Sequence, residues 1–209
     1  MSRYHDFASL KRRFSEGDHY KIRMRAGTSG ILIMAPHGGK IEPATDDIAD
    51  AVAGENHAFY AFCGVRRQGN RTLHITSHRF NEPRAIAAAC RASTVVTIHG
   101  CRDRTSVVYL GGRHRRLRQQ LHSTLTTAGF AVRENPNLPG LHPANVCNRG
   151  QSGMGVQLEL SSGLRKRLSA GRYPSGRTNR NAALADFVEA ARAAIAAVAG
   201  LNDFSLPFN

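Results

Sequence analysis

The sequence predicts a single α/β domain in which a sheet of mixed parallel and antiparallel strands is flanked by helices. Three observations carry that expectation. Short apolar, β-branched runs alternate with stretches of helical periodicity along the 209 residues. "AFYAFCGV" (58–65) and "TLHIT" (72–76) stand too close together for a crossover helix, so some pairing must be antiparallel. No internal repeat or clear linker divides the chain, so residues 1–209 read as one domain around one core.

The elements follow in order. "YKIRMR" near residue 20 reads as an edge strand. After it come "ILIMA" (31–35), "AFYAFCGV", "TLHIT", "TVVTI" (94–98), "SVVYL" (106–110), "FAVRE" (130–134) and "GVQLEL" (155–160). Between them, "TDDIADAVAG" takes Thr45 as its cap with two acids in its first turn, and "NEPRAIAAACR" takes Asn81. "RHRRLRQQLHSTLTTAG" is stopped by Gly129, and a last helix spans about 181–200. Two irregular segments, "NPNLPGLHPANVCNRGQSG" (135–153) and the basic "RYPSGRTNR" (172–180), are long enough to carry function.

Composition narrows the function classes. The chain has 29 Lys+Arg against 15 Asp+Glu, a formal charge of +14 that draws polyanions such as nucleic acid, anionic lipid or an acidic polymer. All of these cations except Lys11, Lys21, Lys40 and Lys166 are arginine, whose planar fork grips carboxylate or phosphate with two hydrogen bonds. A GC-rich genome gives the same excess. Zinc-finger spacing, tryptophan and aromatic residues interleaved with the basic ones are all missing, which argues against a nucleic-acid reader. Cys63, Cys90, Cys101 and Cys147 contain no CxxC pair, so reduced, mostly buried thiols are expected in place of a disulfide framework or a cysteine zinc site. The N-terminus lacks a signal-peptide apolar run, and no segment approaches the roughly 20 apolar residues of a membrane helix. A soluble monomer, made in the cytoplasm and without a membrane partner, is the expectation.

Chemistry concentrates where strands end. In "MAPHGGKIEPAT" (34–45), His37 closes a strand, Gly38 and Gly39 allow a sharp turn, and Glu42 follows before the helix. The carboxyl ends of strands in an open α/β sheet are where ligands bind. "TVVTIHG" repeats the placement with His99. Two imidazoles and a carboxylate, with a position left for water, make a hydrolytic zinc site; a hydrogen-bonded turn is the plainer reading of either motif alone. Such a site needs a general base, and Glu159 stands in the apolar strand "GVQLELS", where a carboxylate is costly without a task. Gln157 and Glu159 share one strand face, so a solvent-facing pair is the alternative. The other histidines read as surface or packing residues, with His78 and His142 in loops close enough to meet a substrate.

The ordered motifs "APHGGKIEPATDDIA", "TLHITSHRFNEP", "VVTIHG", "VVYLGG", "NVCNRG" and "GVQLELSSGLR" resemble the phage-type poly-γ-glutamate hydrolases, also labelled phage-related replication proteins. The likeness runs from about residue 31 to 168. It implies a carboxypeptidase A-like core, one Zn²⁺ held by His37, Glu42 and His99, and Glu159 as general base. "NVCNRG" is similar to the Asn-Arg segment that binds a substrate carboxylate in carboxypeptidase A-like enzymes, which assigns that role to Asn148 and Arg149, with Asn145 and Arg165 beside them. Bidentate arginine suits a polymer bearing a carboxylate on every residue. Two departures stand out: Ala44 replaces a frequent glycine, an exchange that is harmless at negative φ, and "TSHRF" places His78 and Arg79 where smaller residues are usual.

The resemblance implies a zinc-dependent hydrolase that cuts γ-glutamyl amide bonds of poly-γ-glutamate or a similar anionic polymer, released on lysis if a phage encodes it. A zinc amidase or carboxypeptidase acting on cell-wall or other peptides is the alternative in the same class. A basic nucleic-acid-binding protein of a phage or mobile element, suggested by "RHRRLRQQ", is the alternative of another class.

Overall fold

The computed structural model describes residues 3–170 and 181–199. Among the described residues seven strands form one sheet: β1 (Tyr20–Arg25), β2 (Ile31–Gly39), β3 (Ala58–Gly64), β4 (Thr94–Gly100), β5 (Val107–Gly111), β6 (Ala131–Arg133) and β7 (Val156–Leu160). Their order is β1-β3-β2-β4-β7-β5-β6. β2 runs parallel to β3 and β4, β4 to β7, and β5 to β6, while β1 meets β3 and β5 meets β7 antiparallel. The helices are α1 (Phe7–Lys11), α2 (Thr45–Ala53), α3 (Pro83–Arg91), α4 (Arg115–Thr127), α5 (Ser162–Ser169) and α6 (Ala182–Ala199).

Period-two alternation sorts the strand residues onto two cores. Ile31, Ile33 and Ala35 of β2 pack with residues of α2, α4, α5 and α6; Leu32 and Met34 face the other way, toward α1 and α3. Each fully buried Leu or Ile contributes about 1.5–3 kcal/mol by transfer from water, so both layers hold the sheet. Val96 and Ile98 of β4 and Val156, Leu158 and Leu160 of β7 belong to the first core. His99 and Glu159, one residue out of phase, therefore turn to the opposite face, paired in register.

The mixed sheet matches the sequence expectation, but the reason differs. "TLHIT" is not a strand: Asn70–Leu73 forms a 3-10 turn. The Asn70 side chain bonds Arg66 N (2.9 Å) and Arg66 O (2.8 Å), and Thr72 Oγ1 donates to Gly69 O (2.7 Å). These local bonds compete with a ladder for the backbone. The antiparallel pairs lie instead at β1 and β5.

Two expected caps also move. Glu82, not Asn81, caps α3 by accepting from Ala85 N (2.8 Å), and Pro83 opens the helix. Asn81 Oδ1 instead accepts from Phe7 N (2.8 Å). Ala44, not Thr45, is the N-cap of α2, at φ 75 in the left-handed region. Thr45 Oγ1 donates to Glu42 O (2.8 Å). The negative φ that made Ala44 harmless is thus absent, and its Cβ is strained there. Helices α1 and α5 were not foreseen, and "RYPSGRTNR" lies outside the described residues. All four cysteines are free; Cys63 and Cys147 are buried, Cys101 is half-buried and Cys90 exposed, so only part of the thiol expectation holds. Among the described residues no helix is long and apolar enough to cross a membrane.

Candidate metal centre

His37 reaches the face of His99 because β2 bulges. Ala35 pairs with Ala61 and Gly38 with Cys63, so β2 carries one extra residue between those two pairs. Pro36, in that interval, has no N–H to give the ladder. The insertion reverses the alternation: His37 by parity would join Ile33 and Ala35, yet its ring meets Phe80 of the other core (centroids 6.0 Å). A Cβ on Gly38 would lie 2.7 Å from Asp46 Cβ, and Gly39 takes φ +61, so this turn requires its two glycines. Glu42 N then donates to His37 O (2.9 Å), folding the carboxylate back over the imidazole.

Three ligand atoms converge. His37 Nδ1 lies 3.4 Å from Glu42 Oε2 and 3.2 Å from His99 Nδ1, and His99 Nδ1 lies 3.8 Å from Glu42 Oε2. All three residues are buried. His37 Nε2 faces Ile75 O at 2.7 Å; a carbonyl only accepts, so Nε2 carries the hydrogen. In the neutral ring Nδ1 then points a lone pair at a carboxylate oxygen and a second imidazole nitrogen. Such a cluster of acceptors needs a proton or a cation at its centre. His99 Nε2 is buried without a hydrogen-bond partner among the described residues, a group that packing alone leaves unexplained. The donor set of two imidazoles and a carboxylate fits Zn²⁺.

Electrostatics records the crowding. Burial works against a charged His37, yet Glu42 outweighs it and raises its pKa. Burial likewise opposes ionised Glu42, but His37, and after it His74, hold the carboxyl well below its usual range. Burial, followed by the charge of His37, pushes His99 down to about 3. Gly100 N donates to Glu42 Oε2 (2.8 Å), and His74 Nε2 lies 3.5 Å from Oε1, so both carboxylate oxygens are held.

Glu159 stands beside this corner, side by side with His99 across β4 and β7. It is 9% exposed, and burial followed by the Glu42 charge pushes its pKa up to about 8. No hydrogen bond among the described residues occupies its carboxylate. The solvent-facing alternative fails for both Gln157 and Glu159, which are buried and line a cleft of about 520 Å³ whose floor includes His37, Glu42 and His99.

The other expected site residues divide. His78 and His142 line the cleft with ring centroids 5.2 Å apart. Asn145 also lines it, with Nδ2 donating to Gln157 Oε1 (2.9 Å) and Oδ1 accepting from Cys147 N (3.2 Å). Asn148, expected to bind substrate, does not reach the cleft. Its amide nitrogen donates to Gly140 O (2.8 Å) and His142 O (3.0 Å), and its oxygen accepts from Gly155 N (3.1 Å) and Arg113 N (3.4 Å). The carboxamide is spent on holding the 135–153 segment. Arg149, its expected partner, ends the 3-10 turn Val146–Arg149 and is not part of the cleft lining. Arg165 is likewise engaged: its guanidinium donates to Leu160 O (3.2 Å), Pro43 O (2.8 Å) and Cys101 O (3.0 Å).

His74, read from the sequence as a surface or packing residue, stacks on His37 at 4.0 Å between centroids and lines the cleft. Arg71 and Arg102 also line it and escaped the sequence reading. A signal for His74 was present in "TLHITSH", but as a strand residue it had no reason to approach Glu42; the 3-10 turn supplies that reason.

A mixed α/β sheet thus brings two imidazoles and a carboxylate, a donor set that could hold a metal ion, to its carboxyl edge beside a further buried carboxyl. A model of the poly-γ-glutamate hydrolase family matches residues 4–190, and the chain belongs to that family. Among curated relatives, YndL of Bacillus subtilis (strain 168) is 35% identical over 168 residues, covering 79% of this chain and 66% of YndL. The SPbeta prophage-derived protein YoqZ of the same strain is 33% identical over 169 residues, covering 79% of this chain and 61% of YoqZ. The chain thus spans about two thirds or less of the length of these relatives. Among solved structures, a bacteriophage poly-γ-glutamate hydrolase superposes with a TM-score of 0.87 at 28% identity, covering 96% of this chain and 100% of that one. A zinc-free apo form of YndL superposes with a TM-score of 0.84 at 29% identity, covering 93% of this chain and 98% of that one.

Proposed function

We propose that this chain is a zinc-dependent hydrolase that cuts γ-glutamyl amide bonds in an anionic polymer. The observation that carries the reading is the buried convergence of His37, Glu42 and His99 beside Glu159 on the floor of an open cleft. Family membership supports the hydrolase class, and the zinc-free form of YndL supports the choice of metal.

Zinc held by these three residues supplies Lewis-acid chemistry, acidifying water and polarising an amide carbonyl. The chain's own residues do the rest. Glu159 takes the proton from the attacking water at a carboxylate oxygen and returns it to the leaving nitrogen. Its burial favours uptake of that proton, while His37, and after it His74, keep Glu42 ionised and the bond from Gly100 N helps to orient it. Ile75 O fixes the His37 tautomer that presents Nδ1. The 135–153 segment, pinned by Asn148, contributes Leu138, Gly140, His142 and Asn145 to the lining of the cleft.

Incubation of the purified protein with poly-γ-glutamate, followed by size analysis, tests the reading. Shortening of the polymer that stops with a strong chelator and returns with added zinc is expected; an intact polymer under all three conditions overturns it. Parallel digestion of a peptide containing a γ-linked D-glutamate separates this reading from that of a zinc amidase.

A further inference from the structure

Cleft carboxylate recognition must come from side chains other than Asn148, Arg149 and Arg165, which are committed elsewhere or absent from the lining. The cleft-lining residues include two arginines, Arg71 and Arg102, both exposed. Neither makes an ion pair or a side-chain hydrogen bond among the described residues, in a chain where Arg23, Arg25, Arg84 and Arg118 are all paired with acids. The acids lining the cleft are Glu42 and Glu159, already engaged as ligand and base.

The two arginines arrive from different directions. Arg71 lies in the 3-10 turn that follows β3, three residues before His74, which approaches Glu42. Arg102 lies two residues beyond the end of β4, three after His99. β3 and β4 are the two neighbours of β2, so the guanidiniums come in from strands on opposite sides of the one that carries His37.

A γ-linked glutamate chain has a matching pattern. Every amide nitrogen is attached to a carbon that bears a carboxylate, and two methylenes separate that carbon from the next carbonyl. Anions therefore recur on both sides of any internal amide. Leu138, Pro139 and Leu141 add apolar surface to the cleft for the methylenes.

On the hydrolase reading above, we propose that Arg71 and Arg102 are the specificity-determining residues, each binding a polymer carboxylate on its own side of the bond to be cut. Free, exposed guanidiniums lose little on binding and gain bidentate, charge-assisted bonds. Neutral amides and esters at the same positions forfeit them.

The test measures binding apart from turnover. Zinc-loaded protein carrying Glu159→Gln is titrated with short γ-linked glutamate oligomers by calorimetry, alone and combined with Arg71→Gln, Arg102→Gln or, as a charge-matched control outside the cleft, Arg116→Gln. Each cleft substitution is expected to weaken binding about 10-fold or more, the scale of a lost hydrogen bond to a charged group, with Arg116→Gln near parental affinity. Oligomers with their free carboxylates amidated should bind parent and cleft variants alike. Thermal midpoints unchanged by the arginine substitutions show that the fold is intact. Cleft variants that bind like the parent, or an Arg116→Gln loss as large as theirs, overturn the assignment while leaving the hydrolase reading standing. A parent that binds neither oligomer overturns both.

Discussion

The floor of the cleft and the segment that walls it are both rich in buried polar groups, yet they use them in opposite ways. On the floor, His37, Glu42 and His99 face one another with acceptors turned inward, the Glu159 carboxylate has no hydrogen bond among the described residues, and pKa values are driven far from their usual range. In the wall, Asn145 and Asn148, together with Gln157 of β7 that bonds to it, are equally buried, but their amides are matched donor to acceptor. Satisfied polar groups hold a shape, whereas groups left with unmet chemistry are available to a ligand. That contrast locates the chemistry on the floor and gives the wall a supporting role.

The largest expected effect comes from the floor. Glu159→Gln should lower the hydrolysis rate by about a hundred- to ten-thousand-fold while zinc content stays at the parental level. Steady-state rates with metal analysis of the same samples check it; a near-normal rate removes Glu159 from the mechanism. The substitution also sharpens the electrostatic side of the comparison. Glu159 binds its proton more tightly in the folded, metal-free chain than unfolded, so its contribution falls as pH rises from about 4.5 toward about 8. His99 has the opposite sign, its contribution being lost as pH falls from 6.5 toward about 3. Above pH 6.5 His37, whose pKa Glu42 raises, also loses its contribution as pH rises, so Glu159→Gln should make the metal-free stability profile between pH 6.5 and 8 shallower without levelling it, as thermal melts at a series of pH values will show.

The wall supplies the next effect. Asn148→Ala strands Gly140 O, His142 O and Gly155 N, and should cost about 2–3 kcal/mol of stability in denaturant unfolding. A raised KM with unchanged stability would instead return Asn148 to substrate binding and break the comparison. The smallest effect lies at the entry to α2. Ala44→Gly relieves a left-handed alanine and should stabilise the chain by about 0.5–1 kcal/mol, after allowing for the greater freedom of glycine when unfolded. A loss of stability on that substitution contradicts the strain.

Much of the floor was legible because strand ends can be read from apolar runs. "ILIMAPHGG", "TVVTIHG" and "GVQLEL" put His37, His99 and Glu159 at the carboxyl ends of three strands, which the structure confirms as β2, β4 and β7. What alternation alone gets wrong is the face: His37 reaches His99 only through the extra residue near Pro36, and a bulge depends on the neighbouring strand as much as on its own sequence. The wall is less legible for a related reason. "NVCNRG" carries residue types suited to binding a carboxylate, but whether an asparagine is free or spent depends on backbone groups such as Gly140 O and Gly155 N, set by tertiary folding. His74 was hidden by a wrong period, since a run that looks like a strand closes into a 3-10 turn through the Asn70 side chain.

The central claim is that His37, Glu42 and His99 hold a zinc ion, and metal content per chain tests it most directly. Protein loaded with zinc and dialysed against metal-free buffer should retain one Zn²⁺ per chain, with X-ray absorption showing nitrogen and oxygen ligands only, and His99→Ala should retain none. Zinc lost on dialysis, a sulfur ligand, or full stoichiometry in His99→Ala would contradict it.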